Sequence, residues 1–166
     1  MANFYMTLSA EEISRQIAEL LNSNNKLTRY HSIHTLKLDK GAYFVDIIGG
    51  QVIGCSAIHQ ENDQLTRQFH LCVHPNFRRL GIGKKLKLAA LAHVVTPYVY
   101  VTIREDNIAS INLNMSLGFV LAKKDWVGDH SVLTLGGITA NVRSQTIRMD
   151  DKHSGNKPPA LFYTGV

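Results

Sequence analysis

Cysteine, charge and long apolar runs are all scarce in this chain of 166 residues. With two cysteines, a disulfide-stapled scaffold is excluded. Charged residues make up 19% of the chain, which is too little for a coiled coil. No apolar run approaches the roughly 20 residues that span a bilayer. The first residues lack a basic stretch followed by an apolar one, so we expect no secretory signal and a cytoplasmic location.

Apolar residues, by contrast, make up 45% of the chain, which is enough for one hydrophobic core. A chain of this length is expected to form a single domain, and its composition excludes disorder throughout. The net charge is +5 and the pI is near 9.3. A mild positive field favours anionic partners such as nucleotides, coenzymes or nucleic acid, without choosing among them.

Local patterns predict helices and strands in mixed order. Ser9 and Glu12 form a capping-box pattern in front of a helical periodicity, and Gly49-Gly50 is a hairpin signal between two apolar runs. The predicted helices are 10–22, 84–94 and 107–117, and the predicted strands are 35–38, 42–48, 51–59, 65–73, 98–103, 119–125 and 131–135. This order predicts an α/β (α+β) domain with one mixed, mostly antiparallel central sheet flanked by helices.

The most informative segment runs from Val73 to Lys84, where a strand ends, a glycine-rich turn follows and a helix begins. Arg78, Gly81 and Gly83 form an R-x-x-G-x-G pattern at that junction. The first turn of a helix offers unpaired N–H donors, and glycine lets a phosphate approach the backbone closely. The pattern therefore favours a phosphate group. The alternative is a tight turn with solvated basic residues and no ligand, which would explain the same residue pattern.

A second segment starts at Asn107 and ends at Gly118-Phe119. Asn107 can cap a helix, Ser110 lies one turn in, and Gly118 is a typical C-terminal glycine. A capped helix accounts for all of these residues on structural grounds.

Together the two segments resemble the GCN5-related N-acetyltransferase (GNAT) superfamily over about residues 10 to 135. In that family a Q/R-x-x-G-x-G/A turn precedes a helix, and an N-x-x-A/S helix ending in Gly-Phe follows the next strand. The resemblance implies acetyl-CoA as cofactor and assigns it residues in both segments. The cofactor-binding residues so implied are Leu71, Cys72, Val73, Arg78, Arg79, Leu80, Gly81, Ile82, Gly83, Lys84, Asn107 and Ser110.

The resemblance also points to where this chain departs from the family. Asn114 stands where many members have a tyrosine that protonates the leaving thiolate, and an asparagine donates a hydrogen bond but is no acid. Arg67 stands where some members carry a glutamate base. His70 is the candidate base, since a histidine titrates near pH 7, with Glu61 and His59 as alternatives. We therefore name Asn114 and His70 as candidate catalytic residues.

Other chemistry-bearing residues have plain structural explanations. Cys55 and Cys72 are expected to be buried thiols on neighbouring strands. Tyr98, Tyr100 and Trp126 are expected in core or rim packing, although the tyrosines could line a substrate groove. The eight histidines form no sequence-local cluster with cysteine, so we expect no metal. Basic residues near the C-terminus could contact nucleic acid, or simply be solvated: Arg143, Arg148, Lys152 and Lys157.

The sequence thus predicts an acetyl-CoA-dependent N-acetyltransferase that acts on a primary amine by direct attack in a ternary complex. The alternatives are a non-catalytic acyl-CoA-binding module and a nucleic-acid-directed protein of the same fold. Residues 1–135 are expected to form the GNAT-like domain and 136–166 a partly flexible or partner-contacting extension. The expected partners are a small-molecule or protein amine and a second copy of the chain; nucleic acid is less favoured and a membrane is excluded.

Overall fold

The computed structural model describes residues 8–24, 29–150 and 161–163. It is a mixed α/β fold with a mostly antiparallel sheet, as predicted, and the strand order is β5-β6-β4-β3-β2-β1-β7. The helices are α1 (Ala10–Asn24), α2 (Ile33–Leu38), α3 (Ile82–Ala92), α4 (Ile108–Ser116) and α5 (Thr139–Asp150). The strands are β1 (Ala42–Ile48), β2 (Gln51–Gln60), β3 (Leu65–Val73), β4 (Tyr98–Arg104), β5 (Val120–Val127), β6 (His130–Ile138) and β7 (Leu161–Tyr163).

The described residues group into two compact units, and each is described by itself. One comprises residues of Met1–Ala57, His70–Lys87 and Ala160–Val166, and the other those of Ile58–Phe69 and Leu88–Pro159. None of the described helices is long and apolar enough to cross a membrane.

In the first unit, α1 begins where the sequence predicted. The Ser9 hydroxyl accepts the Glu12 N–H at 3.1 Å, so Ser9 caps the helix. The Glu12 carboxylate accepts hydrogen bonds from Arg15, which is exposed, and from Gln16, whose amide also bonds the backbone of Val52 on β2. Ile17 and Leu21 are fully buried, so the apolar stripe of α1 faces the core.

The strand predicted at 35–38 is wrong, because these residues belong to α2. Ser32 caps this short helix by accepting the Thr35 N–H, and the Thr35 hydroxyl accepts the Ser32 N–H in return. This reciprocal capping satisfies two donors at the helix start and outweighs the strand preference of the β-branched Thr35.

The hairpin of β1 and β2 has the predicted bounds within one residue. Gly49 and Gly50 form its two-residue turn with φ values of +57° and +77°, which glycine adopts without strain. On its other edge β1 pairs antiparallel with β7, with Tyr43 opposite Tyr163. The sequence pattern gave no signal for this strand.

In the second unit, β6 pairs antiparallel with both β4 and β5. The parallel pairing of β3 with β4 covers three residue pairs, from Leu65–Tyr98 to Arg67–Tyr100. Val99, Val101 and Ile103 alternate inward along β4 and form part of the core.

The C-terminal part contains more structure than its weak periodicity predicted. Residues 139–150 form α5, and its Arg143 guanidinium donates to the carbonyls of Leu91, Ala92 and Val94 at the end of α3. Arg143 is therefore engaged in capping a helix rather than presented to a nucleic acid. Lys152 and Lys157 lie outside the described residues, as does most of the predicted polar tail. The division at residue 135 stays a prediction.

Candidate functional site

The predicted glycine-rich turn lies between the end of β3 and the start of α3. His74 begins a short 3-10 turn by accepting the Asn76 N–H, and Arg78 folds back so that its Nε donates to the Val73 carbonyl at 3.0 Å. Arg79 and Gly81 then adopt left-handed conformations, with φ values of +63° and +80°. Turns of this kind point successive backbone N–H groups to one side and form anion-binding concavities.

The residue before helix α3 is Gly81, so no side chain at that position can cap the helix. The Lys85 N–H donates to the Gly81 carbonyl at 3.0 Å, which is the first bond of the helix. The N–H groups of Ile82, Gly83 and Lys84 precede it and have no carbonyl acceptor within their own helix. Gly81 has no side chain that could accept from them. This helix start therefore presents N–H donors and the positive end of the helix dipole to an anion.

Two glycines near this helix have different reasons for being glycine. At Gly54 on β2 an added Cβ would lie 2.7 Å from Leu86 Cδ1 and 3.2 Å from Ile82 Cγ2, so Gly54 lets α3 pack closely on the strand. At Gly83 an added Cβ would meet Val73 Cγ2 at an ordinary 3.5 Å, and no positive φ is required. Packing explains Gly54, whereas Gly83 is not required by the fold.

The basic residues of this region are not equally available to a ligand. Arg78 and Arg79 are exposed. Lys85 is half-buried and its ammonium pairs with the Asp46 carboxylate on β1 at 3.0 Å. Lys87 is 1% exposed, and burial lowers its pKa to about 7. The charge that faces solvent at the turn therefore comes mainly from Arg78, Arg79 and Lys84.

The predicted segment at Asn107 forms α4 in the second unit. The Asn107 side chain caps the helix by accepting the Ser110 N–H at 3.2 Å, and Gly118 ends it with a φ of +94°. Asn114 is 2% exposed and its amide donates to the Ser110 carbonyl at 2.8 Å. One of its two amide N–H donors is thus engaged within the helix, and the catalytic role of Asn114 stays a prediction.

His70, the predicted base, lies on β3 with a left-handed φ of +54°. Its Nδ1 is 2.8 Å from the Tyr43 hydroxyl, and its ring packs edge-on against His31 at 4.6 Å between centroids. Burial and the neighbouring Arg29 lower the pKa of His31. The structure therefore brings together His70 and His31, a pair that the sequence analysis did not connect.

Both cysteines are free and buried, as expected. The Cys55 thiol donates to the His70 carbonyl at 3.3 Å, and the Cys72 thiol donates to the Leu20 carbonyl at 3.7 Å. Burial raises the pKa of Cys55 and raises that of Cys72 to about 11. Both thiols are therefore protonated at neutral pH and poor nucleophiles.

Glu61, one of the two alternative base candidates, interacts with neighbouring side chains of the second unit. Glu61 accepts from the Tyr100 hydroxyl at 2.5 Å and forms an ion pair with Arg67 at 3.9 Å. Burial and Glu61 raise the pKa of Tyr100 to about 12.

Of the core or rim packing expected for the aromatic residues, core packing is wrong for Trp126 and Tyr98. Trp126 is 72% exposed and Tyr98 is half exposed. Tyr98 and Tyr100 line a largely apolar groove of about 610 Å³ with Leu65, Val120 and Ile138. The alternative given for the tyrosines, a groove lining, is the one that this geometry favours.

The sequence profile of the Acetyltransferase (GNAT) family matches residues 10–119, more than half of the chain. The chain belongs to the GNAT acetyltransferase family. The match includes the glycine-rich turn and α4, and GNAT acetyltransferases transfer acyl groups from acetyl-CoA. No curated protein sequence matches this GNAT chain.

Solved structures show that this GNAT chain shares its fold with other acetyltransferases. Ard1 from Thermoplasma volcanium is 23% identical with a TM-score of 0.65, over 75% of this chain and 92% of that one. A ribosomal-protein-alanine N-acetyltransferase from Brucella melitensis is 17% identical with a TM-score of 0.65, over 80% and 98%. A GNAT family acetyltransferase from Elizabethkingia anophelis with acetyl-CoA bound is 14% identical with a TM-score of 0.58, over 72% and 88%.

The residues predicted from the GNAT resemblance thus fall into two sets. Leu71 to Val73 and Arg78 to Lys84 lie in the first unit, at the end of β3 and in the turn before α3. Asn107, Ser110 and Asn114 lie in the second unit, on α4. Sequence reasoning missed Gly54, Tyr43 and His31, since each acts through contacts with residues that are distant along the chain.

Proposed function

We propose that this GNAT protein transfers the acetyl group of acetyl-CoA to a primary amine in a ternary complex. The observation that carries the proposal is the start of α3, where three N–H donors follow a glycine and exposed arginines stand beside them. Since the family match includes this turn, its N–H groups are proposed to donate hydrogen bonds to the pyrophosphate oxygens of the coenzyme.

The residues present fit such a group. A phosphate oxygen can approach Gly83 because neither packing nor backbone conformation uses the space in front of it. Asn107 and Ser110 are proposed to contact the pantetheine arm. The backbone of Leu71 to Val73 is proposed to bond the arm and the thioester carbonyl, because these residues lie beyond the stretch of β3 that pairs with β4.

In the proposed reaction the amine nitrogen attacks the thioester carbonyl carbon. The C–N bond forms, the C–S bond breaks, the amine loses one proton and the thiolate takes up one. A base is required when the amine arrives protonated, and His70 stays the predicted base. Backbone N–H groups of β3 are proposed to stabilise the developing oxyanion.

The first test is coenzyme binding. We expect acetyl-CoA to raise the melting temperature, since a ligand at 100 times its Kd stabilises a protein by about 2.7 kcal/mol. Gly83→Val should abolish this shift, because its side chain fills the space proposed for a phosphate. Gly136→Ala is the matched control, since its added Cβ meets nothing within 4 Å. Absence of any shift with both acetyl-CoA and CoA would refute the proposal.

A second candidate, a non-catalytic acyl-CoA-binding module, has a specific observation in its favour. The side chains at the family's acid and base positions are engaged elsewhere: Asn114 bonds the Ser110 carbonyl and Arg67 pairs with Glu61. Release of free CoA with small amines and with alanine-terminated peptides separates the two candidates. Turnover above the hydrolysis rate supports the enzyme, and binding without turnover supports the module.

A further inference from the structure

Three potential metal ligands from separate parts of the first unit meet in one place. His31 comes just before Ser32, the N-cap of α2, Asp39 directly follows the helix, and His70 lies on β3. One ligand atom from each of the three lies within 4.8 Å of the other two. Because the short helix α2 brings its two flanking residues to the same place, this cluster is a product of the fold.

His31 and Asp39 each carry a buried polar atom that has no partner among the described residues. His31 is 2% exposed, and its Nδ1 has no hydrogen-bond partner among the described residues. The same holds for Oδ2 of Asp39, whose side chain is 12% exposed. A buried polar atom normally has a partner, so two such atoms beside each other indicate a bound group.

The remaining polar atoms of the three residues are held by neighbours. The Tyr43 hydroxyl lies 2.8 Å from Nδ1 of His70 and thereby orients the imidazole ring. Arg29 donates to Oδ1 of Asp39, so Oδ2 is the oxygen that is left. Orientation of metal ligands by such outer contacts is a regular property of metal sites.

The backbone around the cluster is also fixed. The amide side chain of Asn22 exchanges two hydrogen bonds with the backbone of His31, at 2.7 and 2.8 Å. The Cys55 thiol donates to the carbonyl of His70. The backbone at both histidines is thus held in place independently of any ligand.

We propose that His31, Asp39 and His70 bind a divalent transition-metal ion of the zinc class. Two imidazoles and one carboxylate are a zinc donor set, and three protein ligands leave one position for water or another small ligand. In a tetrahedral site with bonds of about 2.0–2.1 Å the ligand atoms lie about 3.3 Å apart. The three ligand atoms, which lie within 4.8 Å of one another, reach that spacing by side-chain rotation.

This site has a consequence for the predicted base. The Nε2 lone pair of His70 cannot both bind a metal ion and accept the proton of an amine. The proposal does not depend on the proposed acetyl transfer, because metal binding is measured without coenzyme or acceptor. Failure of either proposal leaves the other standing.

The test is a titration of the full chain, without a histidine tag and after dialysis against a chelator, with Zn²⁺ by calorimetry and Co²⁺ by visible absorption. We expect one equivalent to bind, with the intense visible bands of four-coordinate Co²⁺. His31→Ala, Asp39→Asn and His70→Ala should each raise Kd at least 100-fold, and Tyr43→Phe about tenfold.

His34→Ala is the matched control, because His34 is exposed on the same helix α2. It should keep the affinity of the unsubstituted protein. Circular dichroism establishes which variants are folded, and the milder Asp39→Asn and Tyr43→Phe serve if an alanine variant is not. Absence of binding by the unsubstituted protein, or equal affinity in the folded ligand variants, would overturn the proposal.

Discussion

The starts of α3 and α4 differ in the residue that precedes the first turn of the helix. At α4 the side chain of Asn107 accepts the Ser110 N–H, so the helix satisfies its own donor. At α3 the preceding residue is Gly81, and the first N–H groups have no side-chain acceptor from that position. Helices α1 and α2 resemble α4, since Ser9 and Ser32 cap them.

This difference shows how a helix start can serve either stability or binding. A capping side chain stabilises a helix by about 1 kcal/mol and occupies the position that an anion would take. A glycine there gives up only about a few tenths of a kcal/mol and leaves the donors for a ligand. The comparison therefore favours the start of α3 as the place where the coenzyme is proposed to bind.

A Gly54→Ala substitution tests whether the position of α3 matters to its binding role. The new Cβ would lie 2.7 Å from Leu86 Cδ1 in the core, and overpacking of this kind costs about 1–3 kcal/mol. We expect chemical denaturation to show that loss and acetyl-CoA affinity to fall with it, since α3 must shift. Gly136→Ala should change neither quantity. An unchanged acetyl-CoA affinity in folded Gly54→Ala would show that binding does not depend on the close packing of α3 against β2.

Substitution of Lys87 tests whether the buried positive charge of α3 affects stability, in contrast to the exposed charge at the helix start, which is proposed to affect coenzyme binding. Its pKa is about 7 in the folded chain and 10.5 in its ordinary state, so between these values the unfolded chain binds more protons. The free energy of unfolding should therefore rise between pH 7 and pH 9, by at most about 1.4 kcal/mol per pH unit from this group.

In Lys87→Met we expect this contribution to disappear, so its stability curve is flatter than that of the unsubstituted chain. Stability at pH 7 should increase because a buried charge is removed. Urea denaturation at pH 7, 8 and 9 measures both effects. Acetyl-CoA affinity should stay the same, because Lys87 is buried. If the free energy of unfolding depended on pH in the same way in both proteins, the lowered pKa of Lys87 would be contradicted.

Substitutions of Asn107 give the smallest expected effect. They distinguish its role as a helix cap from its proposed contact with the pantetheine arm. Asn107→Ala should destabilise the protein by about 1 kcal/mol through loss of the cap, whereas Asn107→Asp should keep it. If the side-chain amide also bonds the pantetheine arm, Asn107→Asp should weaken acetyl-CoA binding while the melting temperature stays the same. Equal affinity in Asn107→Asp would leave this residue with a capping role alone.

Local patterns predicted the parts of the fold that local forces determine. The Gly49-Gly50 hairpin, the turn before α3 and the capped α4 all depend on residues within a few positions of one another. The strand expected at 35–38 was wrong because Ser32 and Thr35 cap each other, a pattern that the β-branched residues obscured. Strand β7 pairs with β1 across more than 100 positions, which no local periodicity reveals.

The candidate site was predictable to a similar extent. The motif Arg78-x-x-Gly81-x-Gly83 is contiguous, so its place at a helix start could be inferred from the sequence. The burial of Lys87 could not, because a lysine in a helix is normally solvated. His31 and His70 approach each other only through tertiary packing, and their spacing along the chain matches no metal-ligand motif.

The two buried thiols allow local opening of the protein to be measured by chemical labelling. Cys55 and Cys72 are inaccessible and protonated in the folded chain, so a thiol reagent reacts only when their surroundings open. Cys72 bonds the backbone of α1 and Cys55 that of β3, so each labelling rate follows the opening of a different contact. Single replacements of either cysteine would resolve the two rates without any added probe.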